Sequence, residues 1–459
     1  MSQQAEIAAV RAREILDSRG NPTRREIRAD ASEFIWRLVG AIYRADTKVH
    51  GGRTTPPMNT KLLLDRSFLT LCAVGFLGRL SYEMARSPLS PLLAQKLGAP
   101  PVVIGLIVAS VTIIGIFVKL PSGALSDIFG YRSLMLIGGV VKMVGPFLYL
   151  PVTGFLALIP IRLFHGLATA TYAPAAAAWV AAMDSKNRAL RLGIYSAAEN
   201  VGVLLGPTIG GLVLYYTLMN FNLAFVISGV IGTGAFLGIL SLPADHVERP
   251  TAKAENREIL RRLRAGVLEI VHTRPIILTS LMESFMFLGV GTIQAFLPLY
   301  VIGVHQTTLG IAIIFAAQGA ASLASRPSMG WLSDRIGRKP VILIGLLGCT
   351  IGLAVIPHVD SLLGLAVLSA LFGFGWGSVT PSTSAMIADL CKEQQLGSAM
   401  GVFGSIWDVG HATGPILAGV LVGVIGYGWA FGIVAALILT GALLFAVSVR
   451  EPDRAVAGA

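Results

Sequence analysis

Two groups of ionisable side chains fall inside long apolar stretches of the sequence. Arg79, Glu83 and Arg86 are spaced four and three residues apart, which places all three on one face of a helix. Asp408 and His411 are three residues apart and share a face in the same way. Burying a charge in a bilayer costs about 3 kcal/mol even on the scale from insertion experiments, so such residues are candidates for function.

The chemistry of each group allows two interpretations. The first group holds one carboxylate between two guanidinium groups: either it binds an anionic substrate or switches protonation at Glu83, or it is an internal salt bridge that stiffens the helix. The second group can exchange a proton, because histidine titrates near physiological pH, or it forms a static hydrogen bond between helices. Arg162 and Glu199 also fall inside apolar stretches and complete the set of ionisable candidates.

The composition indicates the class of protein. Of 459 residues, 54% are hydrophobic and 13% are charged, whereas soluble domains carry roughly a quarter charged residues. The sequence therefore predicts an integral membrane protein. The net charge of the chain is +11, and basic residues lie in short loops between apolar segments. This distribution is typical of membrane proteins, whose loop charges set their orientation, and not of nucleic-acid-binding proteins. No phosphate-binding G-x-x-x-x-G-K-[ST] motif and no metal-ligand spacing occurs, so we expect no cofactor.

Twelve apolar runs are each long enough to cross a bilayer. They lie near 67–95, 102–124, 133–152, 155–183, 190–214, 220–241, 276–302, 308–330, 339–357, 361–389, 396–424 and 428–449. Basic residues concentrate in the loops on one side, whereas Lys96 is the only Lys or Arg in the opposite loops. The positive-inside rule then predicts that both termini and the long central connection are cytoplasmic, in a cell (inner or plasma) membrane.

An internal repeat divides the chain into two units. Residues 123–132 recur as 330–339, and other landmarks recur at nearly the same offset. This predicts a polar tail at 1–60, a six-helix bundle at 61–242, a cytoplasmic loop at 243–275, a second bundle at 276–450 and a tail at 451–459.

Within the repeat, a carboxylate and nearby basic residues can form a latch that opens in one state. The predicted latch residues are Gly123, Asp127, Gly130, Arg132, Gly330, Asp334, Gly337, Arg338 and Lys339.

A second pattern is built from small residues. Glycines spaced four apart lie on one helical face and let another helix approach closely, and an adjacent proline bends the helix. The predicted packing and gating positions are Gly202, Gly206, Pro207, Gly210 and Gly211, with a partial copy at Gly410, Gly414 and Pro415.

These motifs resemble the major facilitator superfamily. Both repeat copies match its G-x-L-x-D-x-x-G-x-[RK] signature, Leu158, Arg162 and Gly166 match its L-x-x-x-R-x-x-x-G motif, and the first glycine pattern matches G-x-x-x-G-P-x-x-G-G. The resemblance implies an all-α membrane protein with twelve transmembrane helices in two pseudo-symmetric six-helix bundles. It also implies alternating access, and the last motif is typical of proton-coupled antiporters that export drugs.

The leading hypothesis is therefore a monomeric secondary transporter that exports a small organic compound in exchange for protons. One alternative is proton-coupled transport of an organic anion or carboxylate metabolite, and another is a membrane sensor that does not transport. Residues 13–23 resemble the start of enolase, but some twenty residues cannot form that fold, so we predict no enzyme activity.

Four other ionisable residues receive weaker predictions. Glu283 is expected to face lipid headgroups, and Lys119 and Arg326 are expected to belong to the latch. Lys142 either reaches the membrane surface or pairs with a carboxylate on another helix.

Overall fold

The computed structural model describes residues 65–183, 187–243, 272–391 and 396–449. Within these ranges every regular element is helical. The first part contains α1 (Arg66–Met84), α2 (Ser90–Lys96), α3 (Pro101–Phe129), α4 (Tyr131–Val144), α5 (Leu158–Ala182), α6 (Arg188–Tyr216) and α7 (Phe221–Leu240). The second part contains α8 (Arg274–Gly303), α9 (Thr308–Ile336), α10 (Arg338–Val355), α11 (Leu362–Leu390) and α12 (Leu396–Ser448).

Ten helical segments in the described part of the chain are long and apolar enough to cross a membrane. The predicted twelve spans differ from this number for two local reasons. The 53-residue helix α12 contains the last two spans, which meet at Gly426, where φ is +77°. The first span, which contains α1, α2 and the π-helical segment Ala85–Leu89 between them, carries Arg79, Glu83 and Arg86, and these charges lower its mean hydropathy. The all-α membrane fold is as predicted.

The break in the first span has a sequence cause. Ser87 has extended backbone angles, φ −146° and ψ 133°, and precedes Pro88. The proline ring disfavours helical angles in the residue before it, so the regular helix stops here. The segment Ala85–Leu89 is nevertheless buried throughout and forms a kink between α1 and α2.

The two halves repeat the same packing. In the first half α1 packs on α6, α3 on α5 and α4 on α5; in the second, α8 packs on α12, α9 on α11 and α10 on α11. Between the halves, α3 packs on α12 and α6 on α9. This correspondence is the pseudo-symmetry that the sequence repeat predicts.

The halves approach each other backbone to backbone at the end of the bundle where α3 begins. A side chain at Gly105 would contact the backbone of Pro415, and a Cβ at Gly419 would lie 2.6 Å from the carbonyl oxygen of Pro101. On the other side, a Cβ at Gly211 would lie 3.0 Å from the Ala312 nitrogen. Glycine thus allows backbone-to-backbone contact of the halves at this end, which is the outer end in the orientation predicted from loop charge.

Candidate functional site

A polar group joins the two halves near the middle of the bundle. The guanidinium of Arg86 donates to Thr112 Oγ1 on α3 at 3.0 Å and lies 2.8 Å from His411 Nε2 on α12. The same histidine nitrogen lies 2.9 Å from Gln294 Oε1 on α8. All four side chains are buried. The His411 imidazole of the second half therefore contacts a cation of the first half and an amide of its own half.

Arg79 and Glu83 form the salt bridge that their spacing predicts. Arg79 Nη1 lies 3.4 Å from Glu83 Oε1, and Arg86 Nη1 lies 4.0 Å from the same oxygen. The carboxylate therefore lies between two cations, as the internal salt-bridge interpretation requires, and Arg86 uses its other nitrogen for the contact with the second half. These residues thus connect the interior of the first half to the boundary between halves.

Glu199 and Lys142 extend this group. Glu199, on α6, lies against α1, where a Cβ at Gly75 would be 3.1 Å from its Cγ. It interacts electrostatically with Arg79 and Lys142. Lys142 is 1% exposed, and its ammonium lies 3.4 Å above the ring of Tyr172. Lys142 therefore does not reach the membrane surface, and it has a carboxylate on another helix within electrostatic range.

Asp408 and His411 do not form the predicted pair. No described hydrogen bond joins them; Asp408 instead pairs with Lys119 of α3, and His411 contacts Arg86. The prediction that Lys119 belongs to the latch is corrected in the same way, because its described partner lies on the other half. Helical spacing put Asp408 and His411 on one face correctly, but that face meets cations of the first half.

Aromatic rings surround these polar contacts. The ring of Phe287 lies 4.2 Å from Trp407, 5.3 Å from the His411 imidazole and 6.5 Å from Trp376. The Lys119 ammonium lies 5.2 Å from the Trp407 ring. Apolar rings beside a few convergent polar groups are the usual lining of a small-molecule site.

Arg162 lies apart from this interface. It is fully buried, and it donates to the carbonyl oxygens of Ile107 at 3.3 Å and Val108 at 3.4 Å on α3. Its contacts are within the first half. The structure therefore does not bring Arg162 together with Asp408 or His411.

Glu283 was missed as a buried polar site. The prediction that it faces headgroups is wrong, because it is 1% exposed. Thr383 of α11 donates a hydrogen bond to it, and Arg326 of α9 interacts with it electrostatically. The sequence signal was present, since an apolar run rarely contains a carboxylate without a partner, but no motif identifies the partner helix.

The predicted latch residues of the second repeat form contacts within the second half. Arg338 pairs with Asp334, and Arg338 Nε lies 3.1 Å from Asp389 Oδ2 at the end of α11. Lys339 donates to the Ala446 carbonyl oxygen at 2.6 Å. A Cβ at Gly330 would meet no atom of the described residues within 4 Å. Gly337, at φ +109°, makes the turn between α9 and α10.

In the first repeat, Arg132 donates to the Leu240 carbonyl oxygen at 2.9 Å, and Gly130, at φ +89°, makes the corresponding turn. For Gly123 and Asp127 the structure describes the helical backbone but not the surroundings or the side chain. The role of these nine residues as a latch stays a prediction.

The predicted glycine positions lie where helices meet closely. A Cβ at Gly202, Gly206 or Gly210 would be 2.6–2.9 Å from atoms of the first span. In the second half, side chains at Gly410 and Gly414 would contact the backbone of α8 at Ser284 and Leu288. Pro207 and Pro415 lie inside α6 and α12. A gating role for these residues stays a prediction.

With the two-bundle geometry established, comparison with known proteins identifies the family. The sequence profile of the Major Facilitator Superfamily matches residues 71–310 and 285–458. The chain belongs to this superfamily. It is a multi-pass membrane transporter and not an enzyme, and it acts on small-molecule substrates, as members of the superfamily do.

Individual members of the superfamily resemble this chain over most of its length. An uncharacterized MFS-type transporter of Methanocaldococcus jannaschii is 26% identical over 367 residues, which cover 78% of this chain and 90% of the relative. A multi-drug resistance efflux pump PmrA homolog of Lactococcus lactis is 25% identical, covering 66% of this chain and 75% of the relative. The crystal structure of the nucleoside transporter NupG shares the fold, with a TM-score of 0.69 at 14% identity over 83% of this chain and 99% of that one.

Some sequence predictions are not tested by these findings. The tail at 1–60, with its enolase-like segment 13–23, and the tail at 451–459 lie outside the described residues, as does most of the central loop at 243–275. In the described part of the chain, no three His, Cys, Asp or Glu residues form a group that could hold a metal ion. The absence of a cofactor stays a prediction.

Proposed function

We propose that this transporter exports a small organic compound in exchange for protons, acting as a monomer by alternating access in a cell membrane with both termini in the cytoplasm. The proton gradient supplies the energy. Among the Lys and Arg residues of the loops that connect the helices, all but Lys96 lie on the terminal side, which supports this orientation. The Lactococcus lactis relative, named a multi-drug resistance efflux pump, supports export.

The observation that carries the proposal is the ion pair between Lys119 and Asp408. Its carboxylate side chain is 3% exposed and its ammonium comes from the opposite half. Protonation of Asp408 removes one charge of this pair, so the attraction between α3 and α12 depends on whether a proton is bound. A proton therefore biases the contact between the two rocking halves, as coupling requires.

The interface supports a direction for the rocking motion. At the outer end the halves meet backbone to backbone, at Gly105 and Gly419. Farther toward the cytoplasmic ends, α3 and α12 meet through the side chains of Lys119 and Asp408 and not through their backbones. The backbone contact of the halves at the outer end supports a state closed on the outside, from which substrate would enter on the cytoplasmic side before export.

Reconstituted vesicles test the proposal directly. First, growth of expressing cells against a panel of toxic cationic, neutral and anionic compounds selects the probe. The selected compound is then added to vesicles that contain a pH-sensitive dye. Antiport predicts that compound and protons move in opposite directions; movement in the same direction, or compound movement without protons, contradicts it.

Transport of an organic anion is the second candidate, and the placement of Arg86 favours it. This cation is buried and contacts His411 at the boundary between halves, beside the aromatic rings. The salt bridge from Arg79 neutralises Glu83, which leaves the charge of Arg86 available to a carboxylate. Arg79→Gln should then abolish transport of anionic compounds but spare neutral ones; equal effects on both would count against an anion site.

A further inference from the structure

Three polar side chains inside the first half carry atoms without hydrogen-bond partners. Arg162, His165 and Tyr149 are 0%, 0% and 1% exposed. Arg162 Nη1, both ring nitrogens of His165 and the Tyr149 hydroxyl group have no partner at standard hydrogen-bond geometry among the residues that the structure describes. The Tyr149 hydroxyl oxygen can accept a long hydrogen bond from Arg162, which leaves its own O–H proton without an acceptor. Buried polar atoms are hydrogen-bonded in the large majority of cases, so four such atoms in one region require an explanation.

The three side chains surround a common region. Arg162 and His165 are three residues apart on α5 and therefore lie on one face of it. The Tyr149 ring, at the end of the short helix Gly145–Tyr149, lies 6.2 Å from the His165 imidazole, and Tyr149 interacts electrostatically with Arg162. Phe225 stacks on Tyr149 at 4.3 Å and an interplanar angle of 2°, and Tyr82 meets His165 edge-on at 5.1 Å. Aromatic packing therefore holds the donors in place.

The charge of this region is uncompensated by the described side chains. The two hydrogen bonds that Arg162 makes go to neutral carbonyl oxygens, of Ile107 and Val108. The charged groups that act on His165 are Arg162 and Lys142, both cations. No described salt bridge includes Arg162. A buried cation without an opposite charge is strongly unfavourable in a low-dielectric interior.

We propose that Arg162, His165 and Tyr149 form a binding site for one small inorganic anion of the halide type, such as chloride. Arg162 supplies the opposite charge, and His165 and Tyr149 each supply an N–H or O–H donor. A water molecule would satisfy the hydrogen bonds but leave the charge uncompensated, so the charge favours an anion. The site lies inside the first half, apart from the Lys119–Asp408 contact, and therefore goes beyond the proposed transport function.

Thermal unfolding of the full chain in detergent tests the site without a transport assay. Sodium chloride is replaced stepwise by sodium gluconate at constant ionic strength. A ligand that binds only the folded protein raises Tm with the logarithm of its concentration once the site is saturated, so we expect Tm to rise with chloride and equally with bromide. Tyr149→Phe removes one donor and should weaken the apparent chloride affinity about tenfold.

Tyr300→Phe is the matched control, because that hydroxyl group donates to the Val359 carbonyl oxygen on the second half; its chloride response should equal that of the unmodified chain. Crystals of the unmodified chain in bromide provide an independent measurement, with anomalous scattering expected beside Arg162 Nη1. A water molecule in place of bromide, or a chloride response that Tyr149→Phe leaves unchanged, would overturn the proposal. Neither result depends on what the protein transports.

Discussion

At the scale of single residues, Asp408 connects proton binding to the contact between halves, because its carboxylate is buried and its partner Lys119 belongs to the other half. Asp408→Asn removes the charge at nearly constant volume. We therefore expect transport driven by a pH gradient to fall at least about tenfold, which corresponds to about 1.4 kcal/mol of lost coupling. Initial rates in vesicles with and without the gradient measure this effect.

The control for this variant is Asp360→Asn, at a loop carboxylate that accepts a hydrogen bond from Tyr300. It should transport as the unmodified chain does. If Asp408→Asn retained full gradient-driven transport, Asp408 would not carry the coupling proton.

The double exchange Lys119→Asp with Asp408→Lys keeps the pair but reverses it, so it should preserve Tm better than either single change.

A second residue-scale prediction concerns the buried carboxyl group of Glu283. Thr383 donates to it from α11, and Thr383→Val leaves that oxygen without its donor. We expect the free energy of unfolding to fall by about 1–3 kcal/mol, the cost of an unsatisfied buried polar group. Chemical or thermal unfolding in detergent provides the measurement.

Thr440→Val is the comparison for that variant, since the Thr440 hydroxyl is exposed and donates to its own helix, at the Ala436 carbonyl oxygen. It should change stability by no more than about 0.5 kcal/mol. In a Glu283→Leu background the loss caused by Thr383→Val should shrink. An equal loss in both backgrounds would show that the hydroxyl group acts through something other than Glu283.

The residue-scale predictions from sequence succeeded along one helix and failed between helices. Spacing placed Arg79 and Glu83 on one face, and the structure contains their salt bridge. The same reasoning paired Asp408 with His411, although their partners are on α3 and on the π-helical segment. Periodicity determines which residues share a face, but the rotation of that face toward a neighbour depends on packing of the whole bundle.

At the scale of elements, the contact of α12 with α8 depends on the absence of side chains. A Cβ at Gly414 would contact the Leu288 backbone, whereas at Gly432, on the same helix, nothing lies within 4 Å. Gly414→Ala should therefore destabilise the protein by about 1–3 kcal/mol through overpacking. Gly432→Ala should leave stability equal or raise it by up to about 1 kcal/mol, because alanine favours helix.

Unfolding of both glycine variants in the same detergent tests this prediction. Similar Tm values for Gly414→Ala and Gly432→Ala would mean that α12 and α8 can separate at no cost.

The boundaries of elements were predictable to the extent that apolar length controls them. The predicted break between the last two spans coincides with the non-helical backbone angles of Gly426. The missed feature is the π-helical segment Ala85–Leu89, which arises from backbone angles at Ser87 that leave the apolar pattern unchanged.

At the scale of the whole molecule, the halves share their packing but not their charges. The repeat offset of 207 residues aligns Arg86 with Ile293 and Glu283 with Phe76. Each half therefore carries buried ionisable groups where the other carries apolar ones. A symmetric frame supports the rocking motion, while unsymmetric chemistry lets one proton or substrate act differently on the two halves.

The outer closure leads to the last prediction. Ser87, which follows Arg86 in the direction of the outer end, is buried and donates across the boundary to the Gln294 carbonyl oxygen at 2.9 Å. In a chain with its three native cysteines replaced by alanine, Ser87→Cys should react slowly with a membrane-impermeant thiol reagent added from outside. Gly105→Val adds a side chain against the Pro415 backbone, so it should hold the outer ends apart and speed this reaction at least about tenfold, which corresponds to about 1.4 kcal/mol.

Gly303→Val provides the control, because it makes the same substitution where nothing lies within 4 Å and should not change the rate. The expected loss of transport in Gly105→Val has the same cause, since a cycle of alternating access requires the outer ends to close. If Gly105→Val reacted no faster than Gly303→Val, then the contact of α3 with α12 would not be the outer gate. Reaction from the cytoplasmic side alone would reverse the assignment of the two ends.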